Sequence, residues 1–136
     1  MAEYLLFHFG SKAEMMTYED GPVNALNFPQ SCADISAAAL NSNSVNNEAT
    51  RVLDLGCAVG GSSFHLAPHF DEVVGVDFSK HFVDAAQKMK DEGEMEYDIL
   101  QQGGIFTKAV AKVPAGDFSK VSFQQGDGCN LDKKLG

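Results

Sequence analysis

Apolar positions along the chain fall into short buried runs separated by amphipathic stretches. Arg51-Val52-Leu53-Asp54-Leu55 is mostly apolar and stops at a glycine, which predicts a buried strand. Gly60 to Pro68 reads as a helix, with Phe64 and Ala67 sharing a face and Pro68 ending it. Glu72-Val73-Val74-Gly75-Val76-Asp77 is a second buried strand. Ser79 suits the cap of a helix running to about Asp91, in which Phe82, Val83, Ala86 and Met89 form one apolar stripe. Lys120 to Gln125 predicts a third strand, and Gly103-Gly104 interrupts a stretch between these elements that reads as helical. Upstream, residues 1–28 mix Tyr4, Phe7, Phe9, Tyr18 and Phe28 with Gly10, Gly21 and Pro22, which predicts a loop-rich arm. Residues 30–40 predict a short helix, broken by the turn chemistry of Asn41 to Asn47.

Strand, helix, strand, helix, strand is the order of a parallel sheet with right-handed crossovers. The fold class is α/β, a doubly wound parallel sheet, expected to be truncated after the third strand because Leu131 to Gly136 is only a polar tail. The chain divides into an arm with a short helix (1–48) and a sheet-bearing region (49–136). Its first strand is expected to present an open edge, a route to self-association.

Composition narrows the function. With 136 residues there is enough chain for one core. No run approaches the ~18 apolar residues of a membrane helix, and the acidic start Met1-Ala2-Glu3 does not suit an export signal. A net charge of −9 argues against a nucleic-acid partner. Cys32, Cys57 and Cys129 show neither a disulfide nor a zinc spacing, and His65, His69 and His81 lack metal-ligand spacing. No metal is therefore expected, and a cytoplasmic setting is. His8 reads as an ordinary polar residue of the arm. The run Asp91-Glu92-Gly93-Glu94-Met95-Glu96 reads as a solvated helix end.

The chemistry is concentrated in Val52 to Ser63, where a strand delivers the chain to a glycine-rich turn that opens a helix. Such a turn lets a ligand approach the main chain, and free amides at the helix start face it. Gly56-x-Ala58-x-x-Gly61 followed by Asp77 fits a dinucleotide fingerprint, hence an NAD-dependent dehydrogenase. Asp54-x-Gly56-x-Ala58-x-Gly60 fits a different ligand, because a carboxylate before the first glycine repels a pyrophosphate and suits a cation. S-adenosylmethionine brings a sulfonium and an ammonium group and no phosphate, so the sign of Asp54 favours it. Asp77, ending the second strand, can accept both ribose hydroxyls, and Phe78 can lie on the adenine face. Asp127, ending the third, can accept from the adenine amino group.

Residues 51–79 resemble the class I S-adenosylmethionine-dependent methyltransferases. Tyr4 to Gly10, Ala25 to Pro29, Leu55 to Ser63 and Gly126 to Leu131 resemble the C-terminal methyltransferase domain of ovothiol-biosynthesis enzymes. The resemblance implies methylation of an imidazole nitrogen of 4-mercaptohistidine. It places Asp54 and the Gly56–Gly61 turn, with Cys57, Ala58 and Gly60, at the methionine part of the cofactor. Asp77 would hold the ribose, and Asp127 with Gly128 the adenine. No catalytic residue is assigned; Tyr4, Phe7 and His8 are contributors if the arm folds over the cofactor. The alternative is a truncated, non-catalytic cofactor-binding or interaction module.

Overall fold

The computed structural model describes residues 1–16, 26–43 and 49–135. Three strands form the parallel sheet that the apolar runs predict: β1 (Arg51–Leu55), β2 (Glu72–Asp77) and β5 (Val121–Gln125), in the order β1-β2-β5. The register sets Asp54 opposite Gly75 and Asp77 opposite Gln125. Because all three strands run the same way, their carboxyl ends lie at one end of the sheet. Side chains alternate across a strand, so Val52, Asp54, Val73, Gly75, Val121 and Phe123 share a face.

That face packs against α4 (Gly61–Leu66), whose Leu66 joins Val73 and Val121 in one core cluster. A second cluster joins Phe64 of α4 to Ala85 and Met89 of α5 (Lys80–Glu92), with Phe123 packed against both clusters. Ser79 caps α5 as expected, accepting the Phe82 amide, and Gly93 ends it in a left-handed conformation.

Four expectations are corrected. The arm is not loop-rich where it is described: Ala2–Phe9 is a helix, α1, and Lys12–Met15 a single turn, α2. Burial explains α1, since Leu5 is 1% exposed inside the Phe64 cluster. For α2 the cause is local: Ser11 and Glu14 form a reciprocal capping box, with the Glu14 carboxylate 2.7 Å from the Ser11 amide. Tyr18, Gly21 and Pro22 lie outside the described residues. The helix expected over 30–40 is longer, α3 (Phe28–Asn43), so Asn41 to Asn43 continue it; residues 44–47 of the expected break lie outside the described residues.

The stretch around Gly103-Gly104 is a hairpin rather than a helix, with β3 (Glu94–Leu100) antiparallel to β4 (Phe106–Lys112). Met95, Tyr97 and Ile99 repeat every second residue and turn toward the core with Ala109 and Ala111. Only Asp91 and Glu92 of the acidic run belong to the helix end. Glu94 and Glu96 lie on β3, and Glu94 pairs with Lys112 across the hairpin at 3.3 Å. Among the described residues no helix is long and apolar enough to cross a membrane.

Candidate functional site

Between β1 and α4 the chain makes a turn in which every second residue has positive φ: Gly56 (79°), Ala58 (47°) and Gly60 (86°). For alanine that conformation costs about 1–2 kcal/mol, so the surroundings must fix it. The Gly56 and Cys57 amides donate to the Val76 carbonyl, and the Gly60 amide to the Cys57 carbonyl. The Ala58 amide donates to Asp77 Oδ2 at 2.9 Å. Asp77 Oδ1 accepts the Ser79 amide at 2.8 Å, so the residue expected at the ribose also ties β2 to the turn and to the start of α5.

Asp54 lies on the helix-covered face of β1, where Ser63 Oγ donates to Oδ2 at 2.6 Å. Burial pushes its carboxyl above the usual range, opposed by the Ser63 hydrogen bonds, and the charge of Asp77 pushes the same way as burial. Among the described residues no Lys or Arg forms an ion pair with Asp54 or Asp77. Two mutually repelling carboxylates thus stand without a protein cation at the ends of adjacent strands.

Asp127 reaches the same end of the sheet by backbone contacts. The Gly126 amide donates to the Asp77 carbonyl, and an added Cβ on Gly128 would lie 3.4 Å from Leu55. The segment after β5 therefore folds back across the end of β2 to the end of β1. Asp127 itself is exposed, with Oδ1 accepting the Cys129 amide at 2.8 Å. Phe78, 74% exposed, follows Asp77 with its ring in solvent. Cys57 and Ala58 are both buried in the turn. Burial first, then the charges of Asp54 and Asp77, push the Cys57 thiol up to about 12.

The glycines of the turn divide by what lies beside them. An added Cβ at Gly56 meets nothing within 4 Å, so Gly56 borders open space. At Gly60 it would meet the Phe123 ring at 2.7 Å, and at Gly61 the His8 imidazole at 2.5 Å. Gly60 admits the core and Gly61 admits the arm. A cavity of about 260 Å³ runs beside β1, lined by Asp54, Gly56 and Ser62 with Phe28, Cys32 and Ser36 of α3; Asp77, Phe78 and Asp127 lie outside it.

Sequence reasoning missed the α3 lining and the place of His8. His8 Nδ1 accepts the Gly61 amide at 3.1 Å, so that amide is not free for a ligand as expected. Burial pushes the His8 imidazole down to about 4, which keeps it neutral near pH 7. His69 and His81 are exposed and His65 is partly buried.

A sequence profile described as a methyltransferase domain matches residues 52–135, the region that builds the sheet, the turn and the three aspartates. The chain belongs to the methyltransferase-domain family. No curated protein matches it. Among solved structures it is similar to the YcgJ protein of Bacillus subtilis, with 23% identity over 72% of this chain and 32% of that one, TM-score 0.43. It is also similar to an amino pentose methyltransferase from Micromonospora echinaspora, solved with S-adenosylmethionine bound: 18% identity over 76% of this chain and 31% of that one, TM-score 0.47. A third is the magnesium protoporphyrin IX methyltransferase of Synechocystis, solved with S-adenosylhomocysteine, at 21% identity over 89% of this chain and 46% of that one, TM-score 0.48. This member of the family spans about a third of the length of the first two structures and less than half of the third.

Proposed function

We propose that this chain binds S-adenosylmethionine and serves methyl transfer to a small-molecule acceptor. The observation that carries the reading is the pair Asp54 and Asp77, two carboxylates with no ion-pair partner among the described residues, beside a turn whose Gly56 opens onto free space. A cationic, phosphate-free nucleoside neutralises such a site; a pyrophosphate is repelled by it. That cofactor supplies a methyl group on a sulfonium centre for direct displacement by a nucleophile. Asp54 with Gly56, Cys57, Ala58 and Gly60 of the turn would hold its methionine part. Asp77 would accept from the ribose hydroxyls, Phe78 would cover the adenine face, and Asp127 with Gly128 would meet the adenine edge.

The acceptor we propose is an imidazole nitrogen of 4-mercaptohistidine, as in ovothiol biosynthesis. This rests on the sequence resemblance of the arm, the turn and the Gly126 to Leu131 segment. An unprotonated imidazole nitrogen is already nucleophilic, so positioning matters more than a strong base. A net charge of −9 suits a small acceptor better than a polyanion, and three free cysteines suit a reducing cytoplasm.

Parallel calorimetric titrations with S-adenosylhomocysteine and NAD test the cofactor. We expect the first to bind and the second not to; NAD binding alone would replace this reading with a dehydrogenase. Mass spectrometry of 4-mercaptohistidine incubated with the protein and S-adenosylmethionine tests the acceptor. A gain of one methyl on the ring supports it, and an unchanged mass beside demonstrated cofactor binding refutes it.

A further inference from the structure

The arm reaches the turn through one residue. Among the described residues the Gly61 amide donates to His8 alone, which arrives from 53 positions earlier in the chain. The fit is reciprocal, since an added Cβ at Gly61 would lie 2.5 Å from His8 Nδ1 and 3.0 Å from its Cβ. Glycine at 61 is thus explained by the imidazole, not by a left-handed backbone or by space for a ligand.

The helix that carries His8 is fastened to three helices around the turn. Tyr4 lies 4.4 Å from Phe82 of α5, Phe7 lies 6.0 Å from Phe28 of α3, and Phe9 lies 6.2 Å from Phe64 of α4, ring centre to ring centre. Leu5 is buried beneath them. Such contacts fix the position of the imidazole as a rigid strut, which a loop would not.

The turn needs that support. Its positive φ values at Gly56, Ala58 and Gly60 persist only where the surroundings over-determine them. Asp77 holds its middle through the Ala58 amide and His8 holds its exit through the Gly61 amide, three residues on. We propose that His8 is a positioning residue for the cofactor turn: its Nδ1 fixes the Gly61 amide, and α1 thereby sets the shape of the site to which S-adenosylmethionine binds. The inference rests on the cofactor reading above. It adds that affinity depends on a hydrogen-bond acceptor at a residue that need not touch the ligand.

Two substitutions separate positioning from packing. His8→Phe keeps the ring and its volume and puts a C–H where the lone pair was. His8→Asn loses the ring and keeps an acceptor, since Asn Oδ1 branches from Cγ as His Nδ1 does. Each is measured for S-adenosylhomocysteine affinity by calorimetry and for hydrogen exchange of the Gly61 amide, with circular dichroism confirming the fold. We expect His8→Phe to weaken binding roughly 3- to 10-fold, the worth of one ordinary hydrogen bond, and to speed Gly61 exchange. His8→Asn should stay closer to wild type in both. Equal affinity in wild type and His8→Phe overturns the positioning role and leaves the cofactor reading standing, as does a greater loss in His8→Asn than in His8→Phe. A wild-type protein that does not bind S-adenosylhomocysteine overturns both.

Discussion

Replacing Asp54 by Asn should make the ligand-free protein more stable and a worse binder. The carboxylate is buried, repelled by Asp77, and offset only by the Ser63 hydrogen bonds. Asparagine keeps an acceptor for Ser63 Oγ and removes the charge. Relieving a strained functional position of this kind commonly stabilises by about 0.5–2 kcal/mol. The sign with pH follows from linkage. Because folding raises the Asp54 pKa, the folded state holds more protons than the unfolded one over the interval between the two values. Stability of the wild type therefore falls as pH rises through that interval. The advantage of Asp54→Asn should be absent below the unfolded value of 3.8 and complete above the raised folded value. Binding should move the other way: losing a charge-assisted contact to a cation costs about 1.5–3 kcal/mol, roughly 10- to 150-fold in S-adenosylhomocysteine affinity, which retains the ammonium group. Urea unfolding across pH, paired with calorimetry, measures both. A variant that is less stable than wild type above the raised pKa, or that binds equally well, would refute the electrostatic account of Asp54.

Three further outcomes are expected. Folding lowers the His8 pKa from 6.5 to about 4, so the unfolded state binds more protons between these values and stability rises with pH there. The His8 share is complete above the unfolded value, on the order of 3 kcal/mol, and is lost as pH falls toward 4; wild-type and His8→Asn unfolding curves at several pH values should converge at the acid end, and parallel curves would contradict this. Gly75→Ala should destabilise by about 1–3 kcal/mol, since its Cβ would lie 2.6 Å from the Phe123 ring, and Phe123→Leu in the same background should recover part of the loss in urea unfolding. Alkylation of the native protein should modify the exposed Cys129 first and spare Cys57, which is buried with a pKa near 12; early loss of the Cys57 thiol by mass spectrometry would contradict its burial.

The sheet and its turn were legible because their signals are local. Val52 to Leu55 and Val73 to Val76 are apolar runs bounded by polar residues, and Ser79 stands where a cap is needed. The β3–β4 hairpin reads wrongly as helical although its signal is local: Met95, Tyr97 and Ile99 alternate with Glu94, Glu96 and Asp98, a period of two that the acidic residues disguise as a helix surface. Ser11 and Glu14 likewise carry a capping box at its proper spacing. The α1 helix is different. Tyr4, Phe7, His8 and Phe9 have modest helix propensity, and what orders them is burial of Leu5 and ring contacts with three distant elements. The His8–Gly61 bond belongs to the same class, since nothing within ten residues of either partner announces it.

Asp54 and Asp77, on either side of the turn, are proposed to bind a cationic nucleoside together. Amide chemical-shift mapping with S-adenosylmethionine tests this proposal most directly. Shifts are expected to concentrate on Gly56 to Ala58, on Asp77 and Phe78, and on Asp127 and Gly128, while NAD at equal concentration leaves them in place. Shifts scattered away from these three segments, or the same segments answering to NAD instead, would contradict it.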